Sequence, residues 1–319
     1  MNSFTLGRRG FLLGCGAAAV AACAPRTRPA SGMTSTGGEP LGVQLYSVGA
    51  EARADLDGTL AALSNIGYRV VELAGYIDRT PADLRAALDR AGLRCISTHV
   101  GGRTFRPGRS LNDDPAILAE EGRILGFDTV IMPLFNVPER FALEKQPGED
   151  NAKMIARLAR QMTEDDWKRN ADYLNTRGAA LKKVGLKIGF HNHNNEFAPL
   201  PSGGTIMDML IRDTDPSLVT FELDVGWSAS AGIDSAAYIA RHPGRFTALH
   251  LKDIKPTVKP NFDLMQEGTE VGSGLIDWRA LMPVARKAGI KRFFVEQEPP
   301  FEHPPLESLK TSFDYLAGL

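Results

Sequence analysis

Four of the six histidines stand at or near the C-terminal ends of short apolar runs: His99 in CISTHV, His191 and His193 in KIGFHNHNNEF, and His250 in TALHLKD. Two further runs end in acids, Glu222 and Asp224 in FELDVGW and Glu296 and Glu298 in FFVEQE. Imidazoles mixed with carboxylates suit Mn²⁺, Co²⁺, Zn²⁺ or Fe²⁺ better than Mg²⁺, which prefers an oxygen shell. One such ion can bind a carbonyl and a hydroxyl of a sugar together and stabilise an enediolate as a neighbouring C–H proton leaves. The expected ligands are His193, Asp224, His250 and Glu296, with Glu196 as an alternative to His193 and Glu298 to Glu296. The departing proton needs an acid/base group within hydrogen-bond reach; His191, Glu196 and Lys252 are the candidates. Glu72, His99 and Glu298 are candidates to grip substrate hydroxyls, and Glu72 and His99 equally to orient the metal ligands from behind. Trp227 either presents an apolar platform to a sugar face or simply packs.

Something must bring these side chains to one place. From residue 40 the chain alternates between short β-branched or aromatic runs and longer amphipathic stretches, which predict strands and helices respectively. Strands are predicted at 42–48, 68–74, 94–100, 128–134, 187–193, 219–225, 246–252 and 292–298. Helices are predicted at 55–66, 81–91, 114–125, 163–184, 205–212, 234–241, 277–288 and 306–317. The first three are each followed by glycine, and Thr80-Pro81 supplies a capping side chain and a first-turn proline. Strand–helix alternation implies parallel strands joined by right-handed crossovers, and eight such units close into a (β/α)8 TIM barrel. An open doubly wound sheet is disfavoured, because no glycine-rich dinucleotide fingerprint follows the first strand.

Period-two alternation predicts which side chains face inward. Leu249 and Leu251 share a face opposite His250 and Lys252. Phe221, Leu223 and Val225 oppose Glu222 and Asp224, Phe293 and Val295 oppose Glu296 and Glu298, and Ile188 and Phe190 oppose His191 and His193. Helices cover the apolar outer face of a barrel, so the polar face points to the axis. Unpaired charge buried there would cost several kcal/mol; a metal ion and a polar ligand would satisfy it. The connection 135–162 is long and mainly polar, ends in a short helical pattern, and is read as a lid or an oligomer contact. Gly272-Ser273-Gly274 forms a tight loop that could approach a ligand, but it makes a weak phosphate cradle because no helix start directly follows it.

The chain has 319 residues, of which 43% are hydrophobic and 24% charged, with a net charge of −1. That is ample for one large core, and without a basic stripe it argues against a nucleic-acid partner. Residues 1–23 read as an export signal: Arg8-Arg9 precedes the short apolar stretch Phe11–Ala22, as in a twin-arginine signal. Val20-Ala21-Ala22-Cys23 resembles a lipoprotein box with Cys23 as a lipid-anchor site, and 24–38 reads as a flexible tether to a barrel domain at 39–319. The expected destination is the periplasm, in free or membrane-anchored form. Cys15 and Cys23 fall in the signal, which leaves Cys95 as a small buried hydrophobe.

From about residue 40 to 319 the chain resembles the sugar phosphate isomerase/epimerase family, the xylose isomerase-like barrels. GVQLYS, VVELAGY, GFHNHNNEF, FELDVGW, LHLKD, EVGSGLIDW and VEQE carry the resemblance. The resemblance implies one divalent metal, usually Mn²⁺, held by residues of four successive strands, with Asp224, His250 and Glu296 matching three of them. In the sugar epimerases the fifth strand supplies a metal-binding glutamate that is also a base. His191-Asn192-His193 stands there in this chain, as in inosose dehydratase-like members, so His193 is the implied fourth ligand and His191 or Glu196 the implied base. Together with export and the absence of a phosphate-binding Lys/Arg cluster, this predicts an isomerase or epimerase of an unphosphorylated sugar, keto-sugar or glycoside. The alternatives are a 3-keto-glycoside lyase or hydrolase at the same site, and a sugar-binding lipoprotein without catalysis. A type IV apurinic endonuclease shares the barrel but needs a basic DNA-facing surface.

Overall fold

A computed structural model of the chain describes residues 38–102 and 108–319. The expected export signal, Cys23 and all of the tether but Gly38 lie outside the described residues. The strands are β1 (Gly42–Gln44), β2 (Val70–Leu73), β3 (Arg94–His99), β4 (Thr129–Met132), β5 (Lys187–His191), β6 (Val219–Asp224), β7 (Phe246–Leu251), β8 (Asp253–Ile254), β9 (Gly268–Thr269) and β10 (Arg292–Val295). Eight of them close into a parallel barrel in the order β1-β10-β7-β6-β5-β4-β3-β2, while β8 and β9 form a small antiparallel pair. The eight predicted strands are thus the barrel, and the (β/α)8 architecture holds.

The helices are α1 (Gly49–Ala54), α2 (Leu56–Ile66), α3 (Pro81–Ala91), α4 (Pro115–Leu125), α5 (Asn151–Gln161), α6 (Glu164–Lys183), α7 (Ile206–Asp213), α8 (Val225–Ser230), α9 (Ser235–Arg241), α10 (Trp278–Lys287) and α11 (Pro305–Ala317). Local chemistry sets their ends. The Thr80 hydroxyl accepts from the Asp83 N–H at 3.1 Å, Pro81 fills the first turn, and Gly92 closes α3 at φ +69°, a left-handed conformation open to glycine. Thr163 and Asp166 form a reciprocal capping box at the start of α6. The helical pattern at the end of 135–162 is α5. Helices α1 and α8 were not expected from the sequence: each is only six residues long, α1 following a 3-10 turn (Leu45–Val48) after β1 and α8 starting directly on the end of β6.

Alternation sorts the barrel into an apolar outside and a layered inside. Val71, Leu249, Phe293 and Val295 join the main core under the helices, whereas Val70, Ala248 and Phe294 pack with Ile96 as a separate cluster. Val70, Ala248 and Phe294 share the parity of Glu72, His250 and Glu296, and Ile96 is the residue passed over at the β2–β3 register shift; together they plug the barrel, as the filled interior of the fold requires. Gly42 makes room for the plug: a Cβ there would come within 2.6 Å of the Phe294 ring. Below the plug, Arg292 donates to Thr129 Oγ1 at 2.8 Å and to Asp128 Oδ1 at 2.6 Å. Above it the interior turns polar.

Several strands stop earlier than their apolar runs, because the first residues past the barrel are captured by side chains. The Tyr46 N–H donates to Gln44 Oε1 at 3.2 Å and turns the chain after β1. The His193 N–H donates to Glu196 Oε2 at 2.8 Å after β5. The Trp227 N–H donates to Asp224 Oδ1 at 2.8 Å and starts α8 on the last residue of β6. Cys95 is a buried free thiol, as expected. Among the described residues no helix is long and apolar enough to cross a membrane.

Candidate metal centre at the top of the barrel

The polar interior has two tiers. In the lower one, Glu222 Oε1 lies 3.1 Å from His191 Nδ1, 2.9 Å from His250 Nε2 and 3.2 Å from His99 Nε2. Glu72 Oε1 accepts from Gln44 Nε2 at 2.9 Å and lies 2.8 Å from His250 Nε2 and 2.9 Å from His99 Nε2. The His99 and His250 rings stack with centroids 5.6 Å apart. Glu72, Glu222 and His250 are fully buried.

In the upper tier, His250 turns its other nitrogen, Nδ1, to Glu296 Oε2 at 2.9 Å and to Asp224 Oδ2 at 3.8 Å. His191 Nε2 stands 4.0 Å from the same Asp224 oxygen. Lys252 Nζ contacts Asp224 Oδ2 at 2.9 Å, Glu296 Oε2 at 2.8 Å and Glu298 Oε1 at 2.9 Å. Gln266 donates to the other Glu298 oxygen at 2.8 Å. Trp227 walls this tier, its ring 5.3 Å from Lys252 Nζ and 5.2 Å from the His193 ring.

His191, Asp224, His250 and Glu296 each offer one ligand atom, and these four atoms lie within 4.8 Å of one another. That is a compact two-imidazole, two-carboxylate donor set of the kind first-row divalent ions take. Asp224 Oδ2 receives no aligned hydrogen bond; Lys252 approaches it as an ion pair at 2.9 Å and the two imidazoles stand off at 3.8 and 4.0 Å. The residues therefore fit a divalent ion. A second set, His99, His191, Glu222 and His250, meets the same distance criterion one layer down. Its carboxylate already receives three imidazoles, so it reads as the support of the upper set.

Of the four expected ligands, Asp224, His250 and Glu296 come together, and the fifth-strand histidine beside them is His191 rather than His193. His191 is the last residue of β5 and still points to the axis. His193 is two residues beyond the strand and outside both groups, its Nδ1 buried without a hydrogen-bond partner. Glu196, expected as an alternative ligand or a base, spends its oxygens on its own loop: Oε2 on the His193 N–H and Oε1 on Asn195 Nδ2 at 3.1 Å. Glu72 and His99 lie in the lower tier and contact ligand His250. Glu222 carried no assigned role in the sequence, though its inward parity with Asp224 pointed to it; Gln44 gave no signal. Gly272-Ser273-Gly274 turns inward rather than to a ligand, with Gly272 and Gly274 N–H groups donating to Asp253 Oδ2 at 3.0 and 3.3 Å.

Burial and charge work against each other throughout the site. Burial alone would neutralise Glu222, yet His250 and His191 hold its carboxyl well below the usual range. Glu296 is likewise held low, against burial, by Lys252 and His250. Burial opposes the charge on Lys252, but Asp224, Glu296 and Glu298 keep its ammonium well above the ordinary lysine value. The Glu298 carboxyl is raised, by burial first and against the pull of Lys252. Burial also lifts Glu196, to about 7, and lowers His193 well below the ordinary imidazole value, helped by the charges of His191 and Lys252.

A parallel eight-stranded barrel with a cluster of imidazoles and carboxylates at the C-terminal ends of its strands is a (β/α)8 protein with a candidate metal site where the fold places its active sites. Residues 60–319 match the xylose isomerase-like TIM barrel, and the chain belongs to that family. An inosose dehydratase from Geobacillus kaustophilus is 24% identical over 224 residues, spanning 63% of this chain and 63% of that protein. The match thus covers a little under two thirds of that relative's length. An inosose dehydratase from Lacticaseibacillus casei is 26% identical over 257 residues, 74% of this chain and 82% of the relative. The crystal structure of a sugar phosphate isomerase/epimerase from Parabacteroides distasonis superposes with a TM-score of 0.66 at 25% identity, covering 89% of this chain and 95% of that one.

Proposed function

We propose that this chain is a divalent-metal-dependent enzyme that moves a proton next to the carbonyl of an unphosphorylated sugar, keto-sugar or glycoside, as an isomerase or epimerase. The observation that carries the reading is the meeting of His191, Asp224, His250 and Glu296 in one donor set with Lys252 and Glu298 beside it. A divalent ion held there, Mn²⁺ by family resemblance, supplies a Lewis acid for the carbonyl and for the charge of the enediolate.

The chain's own residues supply the rest. Glu222 and Glu72 accept from His250 Nε2 and leave Nδ1 facing Glu296. Lys252 holds a proton at Nζ between three carboxylates and donates it to the sugar oxygen or carbon that accumulates charge. Glu298, partly open to solvent and with its carboxyl raised, takes the C–H proton. Trp227 excludes water along one wall and stacks on the sugar, and Trp227 Nε1 and His193 Nδ1, both buried without protein partners, bond its hydroxyls.

A lyase reading stands second, favoured by the similarity to inosose dehydratases: the same proton removal ends in loss of a group β to the carbonyl. Incubation of Mn²⁺-loaded protein with free ketoses and 3-keto-glycosides in D2O, with product identification, tests both. Deuterium beside the carbonyl with retained composition supports isomerisation, and loss of water or of an alcohol supports the lyase. Neither exchange nor an elimination product with any substrate overturns both in favour of a sugar-binding protein. Export by the Arg8-Arg9 signal, with Cys23 as a lipid-anchor site, belongs to this proposal, and fractionation of cells with and without Arg8→Lys/Arg9→Lys tests it.

A further inference from the structure

A cleft of about 860 Å³ opens beside the metal centre, over the ends of β1–β4. This is near the upper end of what small-molecule sites enclose and far more than one sugar ring fills. His99 is shared between cleft and centre: it lines the cleft while its Nε2 reaches Glu72 and Glu222. On the opposite wall, Ile155 of α5 lines the cleft and packs against the cluster of Ala156, Trp227 and Leu264. The cleft therefore borders the centre through His99 and, on the α5 side, through the cluster containing Trp227 against which Ile155 packs.

Its lining is chemically one-sided. Ile77, Val100, Leu134, Met154 and Ile155 present hydrocarbon, and Tyr46 stands 53% exposed at its edge. Among the described residues, both guanidinium groups of the lining have carboxylate partners. Arg53 pairs with Asp78 at 3.2 Å, and Arg109 Nε lies 3.0–3.1 Å from the Glu121 oxygens. A phosphate or carboxylate entering here would meet cations already neutralised, whereas an apolar ring would lose water against five aliphatic side chains.

Resting on the reading that the centre binds a sugar, we infer that this cleft is a second subsite and that the substrate is a glycoside whose aglycone is neutral and apolar. The sugar sits at the metal centre, and the aglycone lies past His99 between the β3–β4 ends and α5. The long connection 135–162 thus acts as the aglycone wall, through its helix α5.

The test is isothermal titration of the Mn²⁺-loaded full chain with phenyl β-glucoside, methyl β-glucoside and glucose 6-phosphate. Phenyl β-glucoside is expected to bind about tenfold more tightly than the methyl glycoside, the effect of burying one apolar ring, and glucose 6-phosphate most weakly. In Leu134→Asp the phenyl-to-methyl ratio should fall to about one. In Leu134→Ala, a milder change that guards against misfolding, it should fall about threefold. A ratio near one in the unmodified protein, preference for glucose 6-phosphate, or no binding of either glycoside overturns the inference. Failure here with deuterium exchange intact removes only the aglycone subsite; a phenyl preference without exchange on any keto-sugar removes only the catalytic reading.

Discussion

The carboxylate of Glu222 lies 2.9 Å from His250 Nε2, and this contact decides which nitrogen of His250 faces the metal centre. With its proton on Nε2, directed at Glu222, the ring would keep the Nδ1 lone pair for an ion held between it and Glu296. Glu222 does the same for His191 from the other side, through Nδ1 at 3.1 Å. One buried carboxylate thus sets two ligand tautomers. Glu222→Gln keeps the volume but turns an amide toward one imidazole N–H. Mn²⁺ affinity should fall about 10- to 100-fold, as for other lost partners of ligating histidines, measured by competition with a chelator. Unchanged affinity would show that Glu222 only fills space.

Lys252 holds the oxygens that a bound ion would need. Its Nζ lies 2.8 Å from Glu296 Oε2 and 2.9 Å from Asp224 Oδ2. Lys252→Met removes that positive charge and retains the stem against Trp227. Mn²⁺ should bind about tenfold more tightly, while deuterium exchange into a keto-sugar slows by about 10²-fold because the proton donor is gone. Calorimetry and exchange separate the two effects. Weaker metal binding in this variant would mean that Lys252 shapes the donor set rather than opposing the ion.

Glu196 provides a pH signature. Its ordinary value is 4.5 and burial raises it to about 7 in the folded chain. Between these values the folded chain holds a proton that the unfolded chain has released, so raising pH through this window costs stability. The deficit is complete above pH 7, at about 3 kcal/mol. Glu196→Gln has no such proton but loses an acceptor for the His193 or Asn195 N–H. Wild type should be the more stable at pH 5, and the gap should narrow or reverse by pH 8 in thermal melts. A gap that does not move with pH would refute the assignment.

The barrel was legible because its rules are local. Phe293 and Val295 against Glu296, or Leu249 and Leu251 against His250, declare strand, face and direction within a few residues. The site was legible to the same depth, which is why Asp224, His250 and Glu296 meet as expected. Expectation and geometry part where the pattern ends: His191 and His193 have equal parity, but β5 stops at His191 and the His193 N–H is turned to Glu196. Nothing in strand periodicity reports that bond. The support of the site was legible only in part: Glu72 was a candidate to orient ligands and Glu222 faced inward, but their partners were not readable. Glu222, Glu72 and Gln44 come from three strands, and the contacts through His250 and Glu72 that join them exist only once the barrel closes.

Asp253 carries a prediction about the fold that surrounds the site. It follows Lys252 directly, is fully buried, and accepts from Trp278 Nε1 at 2.7 Å and from the backbone N–H groups of Gly272, Gly274 and Ile276 at 3.0, 3.3 and 3.2 Å. A Cβ on Gly274 would come within 2.2 Å of Asp253 Oδ1, so the glycine there serves this close approach. One carboxylate thus ties the loop after β9 and the start of α10 to the end of β7. Asp253→Ala leaves the buried Trp278 Nε1, the buried Ile254 N–H and the three part-buried loop N–H groups without this acceptor and should cost about 3–5 kcal/mol. Asp253→Asn keeps one acceptor oxygen and should cost roughly half as much. Urea denaturation of the metal-free proteins measures both. If Asp253→Ala unfolds within 1 M urea of the wild-type midpoint, about 1–3 kcal/mol, the loop is held by its apolar contacts and not by Asp253.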